Sequence, residues 1–384
     1  MIQDLLSRLR PSRWIGLRGF VLILAASCQD TSSGPHSGEP RQLWSLADPA
    51  GAGSMPFADA DLAVFTTAFA PRIVAADAGS GSLRWSRALT GGPAGLTLPF
   101  ANVLSDGNVL FVPAWDLYAL TRTTGATRWV FSSPDEYTAG SDIARQDSTI
   151  VTPGSLRRIF AVHATTGAML WQRDLQERPF TPIISGDVVF VGTRGEIGSS
   201  GVLGAGHAMA LRLRDGALLW SAALPDAATG SWRGGTNRGG VLTKSAFIVA
   251  STNGRVYAFD RTSGTTMWSY DGPGPFESGV ALLGNVAIVA AVTGDIIGLD
   301  AGTGRELWRR STGGSSVVRQ ITADERWAYI SVGGLICVDS TGVVTWEAGG
   351  ASKNGPTFFT PANAVGGRLF IGSSAGLHAY SLAR

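Results

Sequence analysis

The stretch Gly298-Leu299-Asp300-Ala301-Gly302-Thr303-Gly304-Arg305-Glu306-Leu307-Trp308 decides the fold, because the chain repeats its plan. Segments ending at Trp85 (IVAADAGSGSLRW), Trp129 (LYALTRTTGATRW), Trp171 (IFAVHATTGAMLW), Trp220 (AMALRLRDGALLW), Trp268 (VYAFDRTSGTTMW) and Trp346 (LICVDSTGVVTW) follow it. In every copy a Gly stands four residues before the Trp: Gly81, Gly125, Gly167, Gly216, Gly264, Gly304 and Gly342. One offset recurring this often marks a repeat architecture. Trp44, in RQLWSL, has the second half of the motif only, and AGLHAYSL (Ala375 to Leu382) has the first half only.

Each half has a physical reading. The apolar run before the Asp (Asp77, Asp260, Asp300, Asp339) reads as a strand, and the carboxylate accepts backbone N–H groups of the turn that follows. The Gly supplies the positive φ that returns the chain as an antiparallel strand. A second apolar run precedes each motif, at Val109 to Val112, Val188 to Val191, Phe247 to Ala250, Val286 to Ala290, Trp327 to Val332 and Leu369 to Ile371. Turn signals such as Thr252-Asn253-Gly254 and Thr293-Gly294-Asp295 join several of these runs to the motif strand. Stretches further upstream, Pro182-Ile183-Ile184 and Thr360-Pro361, read as an innermost strand. Four strands in about forty residues make a propeller blade.

Trp spacings of 41, 44, 42, 49, 48, 40 and 38 contain no doubled value, so no repeat is skipped. The expectation is an all-β, eight-bladed propeller over 41–384, closed where the Trp44 strand joins the last blade as its outer strand. Trp44, Trp85, Trp129, Trp171, Trp220, Trp268, Trp308 and Trp346 read as blade-packing residues, each indole wedged between blades with its N–H on a carbonyl.

Charged residues are only 16% of the chain, against about a quarter on average. A net charge of +2 lacks the basic stripe that nucleic acid requires. Residues 1–27 read as an export signal: Arg8, Arg10, Arg13 and Arg18 precede the uncharged run Gly19 to Ser27, too short to span a bilayer. Residues 28–40, rich in Ser, Gly and Pro, read as a tether. Leu24-Ala25-Ala26-Ser27-Cys28 resembles a bacterial lipobox, making Cys28 the candidate lipidation site; Leu24 lies four places before the Cys, where such motifs prefer three.

The repeat resembles the PQQ-type propeller repeat, and the chain is similar to the family of BamB, the outer-membrane assembly lipoproteins. The likeness rests on Cys28, the tether, the early strand Leu43-Trp44-Ser45 and a terminal Tyr-Ser-Leu strand. That resemblance implies a monomeric, non-catalytic scaffold on the periplasmic face of the outer membrane, lipid-anchored and docked to a barrel-assembly component. A quinoprotein redox enzyme is the alternative, as is a sensor propeller for a small molecule or polysaccharide. The quinoprotein dehydrogenases sharing this repeat hold PQQ over a Trp floor, beneath a disulfide of adjacent cysteines, with Ca²⁺ alongside. Here the only cysteines are Cys28 and Cys337, so neither PQQ nor a metal is expected.

Other motifs carry less. Gly372-Ser373-Ser374-Ala375-Gly376 fits G-x-S-x-G but joins two strands, whereas a nucleophile elbow needs a strand-to-helix turn. Gly201, Gly204 and Gly206 precede no helix that could present amides to a phosphate. His36, His163, His207 and His378 show no metal-ligand spacing, and only Lys244 and Lys353 could serve amine chemistry. The two longest Trp intervals hold the extra segments 192–207 and 226–240. Within the second, Trp232 and Arg233 are the partner-contact candidates; the same loop also reads as a solvated Gly-rich connection with Trp232 folded onto its own blade.

Overall fold

The computed structural model describes residues 40–68, 72–90, 101–133, 136–137, 141–198, 201–203, 205–226, 234–312, 320–349 and 355–382. Eight antiparallel sheets form a ring of blades, and the described residues contain no helix. Blade 1 runs from axis to rim through Phe57–Ala58, Leu62–Thr66, Arg72–Asp77 and Leu83–Ala88. The same meander is repeated over 104–131, 144–174, 178–224, 241–271, 281–311 and 321–349. Blade 8 takes its inner three strands from Asn363–Val365, Arg368–Ser373 and Gly376–Ser381, and its outer strand from Gln42–Ala47. That last pairing, with Leu46 opposite Leu377, leaves no blade interface open.

Blade 8 departs from the sequence expectation at one point. Its innermost strand begins after Thr360-Pro361, because Pro361 has no N–H for the ladder, and Thr360 Oγ1 instead accepts the Gly372 N–H at 2.8 Å. Blade 4 is also larger than the rest. Arg178–Pro179 and Ile183–Ser185 both pair with Val188–Arg194, and the hairpin Glu196–Gly198 with Gly201–Leu203 extends beyond it.

The two middle strands of each blade are buried on both faces, as in Ala246–Ala250 and Arg255–Asp260 of blade 5. Their side chains interleave with the neighbouring blade: Ile248, Ala258 and Trp268 pack with Ala287, Val289 and Ile297 of blade 6. Burying each such aliphatic side chain is worth about 1.5–3 kcal/mol. The motif turn is closed as its chemistry requires. Asp260 Oδ1 accepts N–H groups of Thr262 at 3.0 Å and Ser263 at 2.8 Å, and Asp300 Oδ1 accepts those of Gly302 and Thr303.

The outer strand carries the clasp between blades. The indole N–H of Trp220 donates to Arg261 O of blade 5 at 2.9 Å, and Trp44, Trp85, Trp129, Trp171, Trp268 and Trp308 donate to the following blade in the same way, at 2.7 to 3.2 Å. Trp346 packs against Tyr329 of its own blade and Tyr380 of blade 8. The motif glycine has a second duty here. Gly264 has φ +72, and a Cβ on it would lie 2.6 Å from the Trp220 ring. Each Trp also faces a small residue across its own blade, such as Ala210 opposite Trp220 and Ala258 opposite Trp268. In blade 7 that small residue is Cys337, opposite Trp346, where burial pushes the thiol up to about 12.

This packing has a measurable signature in urea unfolding. Trp220→Ala should lower stability by about 3–5 kcal/mol. Gly264→Ala should cost at least about 1 kcal/mol through its positive φ and the indole above it. In the Trp220→Ala background the Gly264→Ala cost should fall, because the ring it collides with is gone; additivity within about 0.5 kcal/mol would contradict the contact.

Candidate functional site

The antiparallel order sends the two ends of every blade to different faces of the ring. Motif turns lie on one face. Links between blades, and turns between the second and third strands, lie on the other, here called the loop face. The described residues of the long segments 192–207 and 226–240 belong to the loop face, since one segment joins the middle strands of blade 4 and the other joins blade 4 to blade 5. Trp232 and Arg233 lie outside the described residues, as do Cys28, His36 and Lys353.

The residues that enter each innermost strand converge on the axis at this face. Asp142 of blade 3 accepts the Asn102 N–H of blade 2 at 2.7 Å and the Thr181 hydroxyl of blade 4 at 3.3 Å. It also accepts Gln320 Nε2 at 3.4 Å. Gln320 belongs to blade 7, four blades from blade 3 in a ring of eight, so this contact crosses the axis. Burial raises the Asp142 carboxyl above its ordinary 3.8, against the opposing pull of the Asn102 N–H, the Arg238 charge, Thr181 and Gln320. Asn102 completes the seam by accepting the Ile143 N–H at 3.0 Å.

Beside this plug lies a cluster of bases. Arg178 and Arg194 are directly opposite each other on paired strands. Arg194 Nη1 donates to Asn237 Oδ1 at 2.6 Å, and Arg238 follows Asn237 in the chain. Gly239 packs on Thr181, which brings segment 237–239 against segment 178–181. The Arg178 guanidinium lies 5.4 Å from the centroid of the Phe180 ring, and its buried Nε has no hydrogen-bond partner among the described residues. Burial and the charges of Arg194 and Arg238 hold Arg178 below its ordinary 12.5. The neighbouring acid is already engaged: Glu177 accepts His207 Nδ1 at 2.6 Å and the Thr193 hydroxyl, while Thr193 Oγ1 accepts the His207 N–H. No sequence pattern marks this cluster, because its members come from three separate segments and share no spacing.

Other chemistry is absent or differently placed. Ser373 Oγ and His378 Nε2 meet at 2.7 Å, yet both are buried. His378 Nδ1 has no partner among the described residues, and burial lowers its pKa, so no carboxylate orients the pair as a hydrolytic base. The described residues contain no group of three acids, His or Cys placed to hold a metal. Asp142 and Gln320 meet across the axis at the loop face.

The sequence family described as "Outer membrane protein assembly factor BamB" matches residues 35–192 and 204–383. Among solved structures, BamB from Moraxella catarrhalis is similar with a TM-score of 0.68 at 17% identity, covering 89% of this chain and 99% of that one. A computationally designed protein, Ika8, gives 0.70 at 14% identity, covering 89% and 99%. The quinohemoprotein alcohol dehydrogenase of Comamonas testosteroni gives 0.68 at 11% identity, covering 90% of this chain and 77% of that one. These likenesses concern the fold. Tetrathionate hydrolase of Acidithiobacillus ferrooxidans is 30% identical over 122 residues, 30% of this chain; the chain matches only 24% of the length of that relative.

The His207 to Glu177 pair predicts a pH dependence. The Glu177 hydrogen bond raises His207 above its ordinary 6.5, with burial opposing it. The stabilisation is therefore fully present below 6.5 and is lost as pH rises through the raised folded value. Urea midpoints of the protein and its Glu177→Gln variant should differ most at about pH 5 and converge towards about pH 9. A difference independent of pH would rule out the charged pair.

Proposed function

The chain belongs to the family of the outer membrane protein assembly factor BamB, and from that premise we propose that it is a non-catalytic docking scaffold of the cell envelope. Its partner in this reading is a component of the machinery that assembles β-barrel proteins in the outer membrane. The observation that supports docking is a belt of exposed apolar side chains on four consecutive outer strands. Met169 and Leu170 of blade 3, Leu218 and Leu219 of blade 4, Met267 of blade 5 and Leu307 of blade 6 are each between 39% and 51% exposed. They lie at the start of their strands, on the motif-face rim, where the outer edge also leaves backbone groups unpaired. Leu83 of blade 1 and Val343 of blade 7 add exposed apolar side chains at or beside the start of their outer strands, and exposed apolar surface of this kind supports association with another protein. The occupant in this proposal is a polypeptide of that machinery, presenting apolar surface to the rim.

Lipidation of Cys28 would hold the scaffold at the periplasmic face of the outer membrane. Such a scaffold carries neither PQQ nor a metal and acts as a monomer. Its purpose is served by rigidity, since a preorganised surface loses little freedom on binding.

A second reading, an enzyme, is favoured by the partial likeness to tetrathionate hydrolase, by the quinohemoprotein fold neighbour and by the basic cluster beside the axis. Purified protein given PQQ and Ca²⁺ separates the two readings. A stoichiometric chromophore with dye-linked alcohol oxidation, or consumption of tetrathionate, would replace the scaffold by the enzyme.

For docking, crosslinking in cells followed by membrane solubilisation should recover an outer-membrane assembly component. The double variant Leu170→Glu with Leu219→Glu should cut that recovery at least about tenfold while leaving the circular dichroism spectrum unchanged. Recovery of no assembly component by the unaltered protein would defeat the assignment. For the anchor, Cys28→Ser should move the protein from the membrane to the soluble fraction; continued membrane association would contradict lipidation at this residue.

A further inference from the structure

We propose that the cleft between blades 5 and 6 on the motif face is a binding site for a small carboxylate carried on an apolar body. The cleft has a volume of about 490 Å³, within the range of pockets that hold small molecules. It exists because a bridge is missing at this seam of the ring. The turn between the first and second strands of a blade lies beside the motif turn of the next, and four other seams are bridged there by a side chain. Arg122 of blade 2 pairs with Asp59 of blade 1, and Arg145 of blade 3 pairs with Asp106 of blade 2. Gln146 of blade 3 donates to Gly186 O of blade 4, and Arg261 of blade 5 donates to Ser185 Oγ of blade 4. Between blades 5 and 6, Thr243 and Ala301 stand where Asp59 and Arg122 stand. The Thr243 N–H bonds Ala246 O as the Asp59 N–H bonds Leu62 O, and Ala301 O receives the Trp268 indole as Arg122 O receives that of Trp85. A threonine and an alanine cannot span the gap, so its volume stays open.

The walls of the cleft are of two kinds. Leu242 and Leu282, both half-buried, and Ala301 give it an apolar floor, while the exposed residues Lys244, Ser245 and Asn285 form its rim. Lys244 is the only lysine among the described residues, and no described carboxylate pairs with it. The equivalent turns of blades 1, 2 and 7 hold acids at Asp59, Asp106 and Asp324. In blade 5 the Thr243 hydroxyl does the same work, accepting the Ala246 N–H at 2.9 Å, so the turn closes without a negative charge to offset Lys244. Asp300, behind the opposite wall, is engaged: Oδ1 accepts the N–H groups of Gly302 and Thr303, and Oδ2 accepts Asn285 Nδ2 at 3.1 Å. That last bond orients the Asn285 amide and leaves its Oδ1 to accept from a ligand N–H. The pattern gives a ligand its direction. A carboxylate belongs at the blade 5 wall, against the Lys244 ammonium and the Ser245 hydroxyl, with the apolar body over the leucines. A second negative charge at the blade 6 wall would meet Asp300, which limits the ligand to one. The cleft lies inward of the apolar belt, and its occupancy does not depend on the docking role of that belt.

The test uses the full-length protein with hexanoate in one arm and N-acetyl-leucine in the other, and hexylamine as an amphiphile of opposite charge, at ionic strength matched with chloride. Saturation-transfer NMR should give a saturable isotherm for at least one acid, with a thermal midpoint that rises with its concentration, and neither effect for hexylamine. Binding of hexanoate alone would identify an aliphatic acid as the ligand class, and binding of N-acetyl-leucine alone an acylated amino acid; either supports the cleft. Lys244→Gln should weaken binding about five- to tenfold. Arg255→Gln, which removes one positive charge from an exposed pair with Asp271, should leave it unchanged. Ala301→Leu should abolish binding by filling the floor; Leu213 holds the equivalent place in blade 4, its carbonyl accepting the Trp171 indole, so the seam accommodates the larger side chain. The proposal is overturned if neither acid binds saturably, if hexylamine binds as tightly as the acids, or if Lys244→Gln and Ala301→Leu proteins with unaltered circular dichroism bind as the parent does.

Discussion

Seven blades end in an indole, those of Trp44, Trp85, Trp129, Trp171, Trp220, Trp268 and Trp308, that rests on a glycine of the next blade and donates its N–H to a carbonyl beside it, and the integrity of the ring depends on that contact. Apolar packing between blades is non-directional and does not by itself fix their register. The Trp to Gly seat removes that freedom, because it combines a directional hydrogen bond with a steric fit that admits no Cβ. A second clasp reinforces it in places: Arg87, Arg173 and Arg310, each two residues after a motif Trp, donate to the carbonyl of the same glycine in the next blade. The small residue opposite each Trp belongs to the same device. Cys337 fills that place in blade 7, which accounts for a buried thiol without invoking chemistry.

The repeat made the fold legible because every copy serves the same contact at the same offset. Eight blades and the shared blade 8 follow from counting Trp44, the seven full motifs and the half motif at Ala375 to Leu382. The dual role of the glycine was not legible. A positive φ explains Gly264 within its own turn, and only the ring reveals that Trp220, from the preceding blade, lies above it. Thr360-Pro361 misled because its β-branched and proline residues resemble a strand start, whereas the buried hydroxyl bonds across to Gly372 and the ladder begins at Asn363.

The loop face was less legible for a related reason. Asp142, Gln320 and Arg178 come from blades 3, 7 and 4, and a closed ring is what brings them near one axis. Sequence separation of 178 residues between Asp142 and Gln320 leaves no local signature. The long intervals on either side of Trp220 hold the segments 192–207 and 226–240, in which Arg194 and Arg238 lie. Loop length shows where a scaffold has been elaborated, but the residues that give the elaboration its charge are contributed by strands beside it.

A rigid ring can hold like charges together that a flexible loop would let separate. Arg178 and Arg194 are kept opposite by ladder hydrogen bonds whose register is set by the whole of blade 4, so neither can move away without breaking that register. Local rules of pairing are broken at functional positions when the surrounding structure over-determines the geometry. Elsewhere in this chain the rules hold: Arg84 faces Asp77, Arg145 faces Asp106 and Arg309 faces Glu306, each within a hydrogen bond of an acid. Against that background of paired arginines, the register that sets Arg178 opposite Arg194 departs from the pairing rule and is held by the ladder of blade 4.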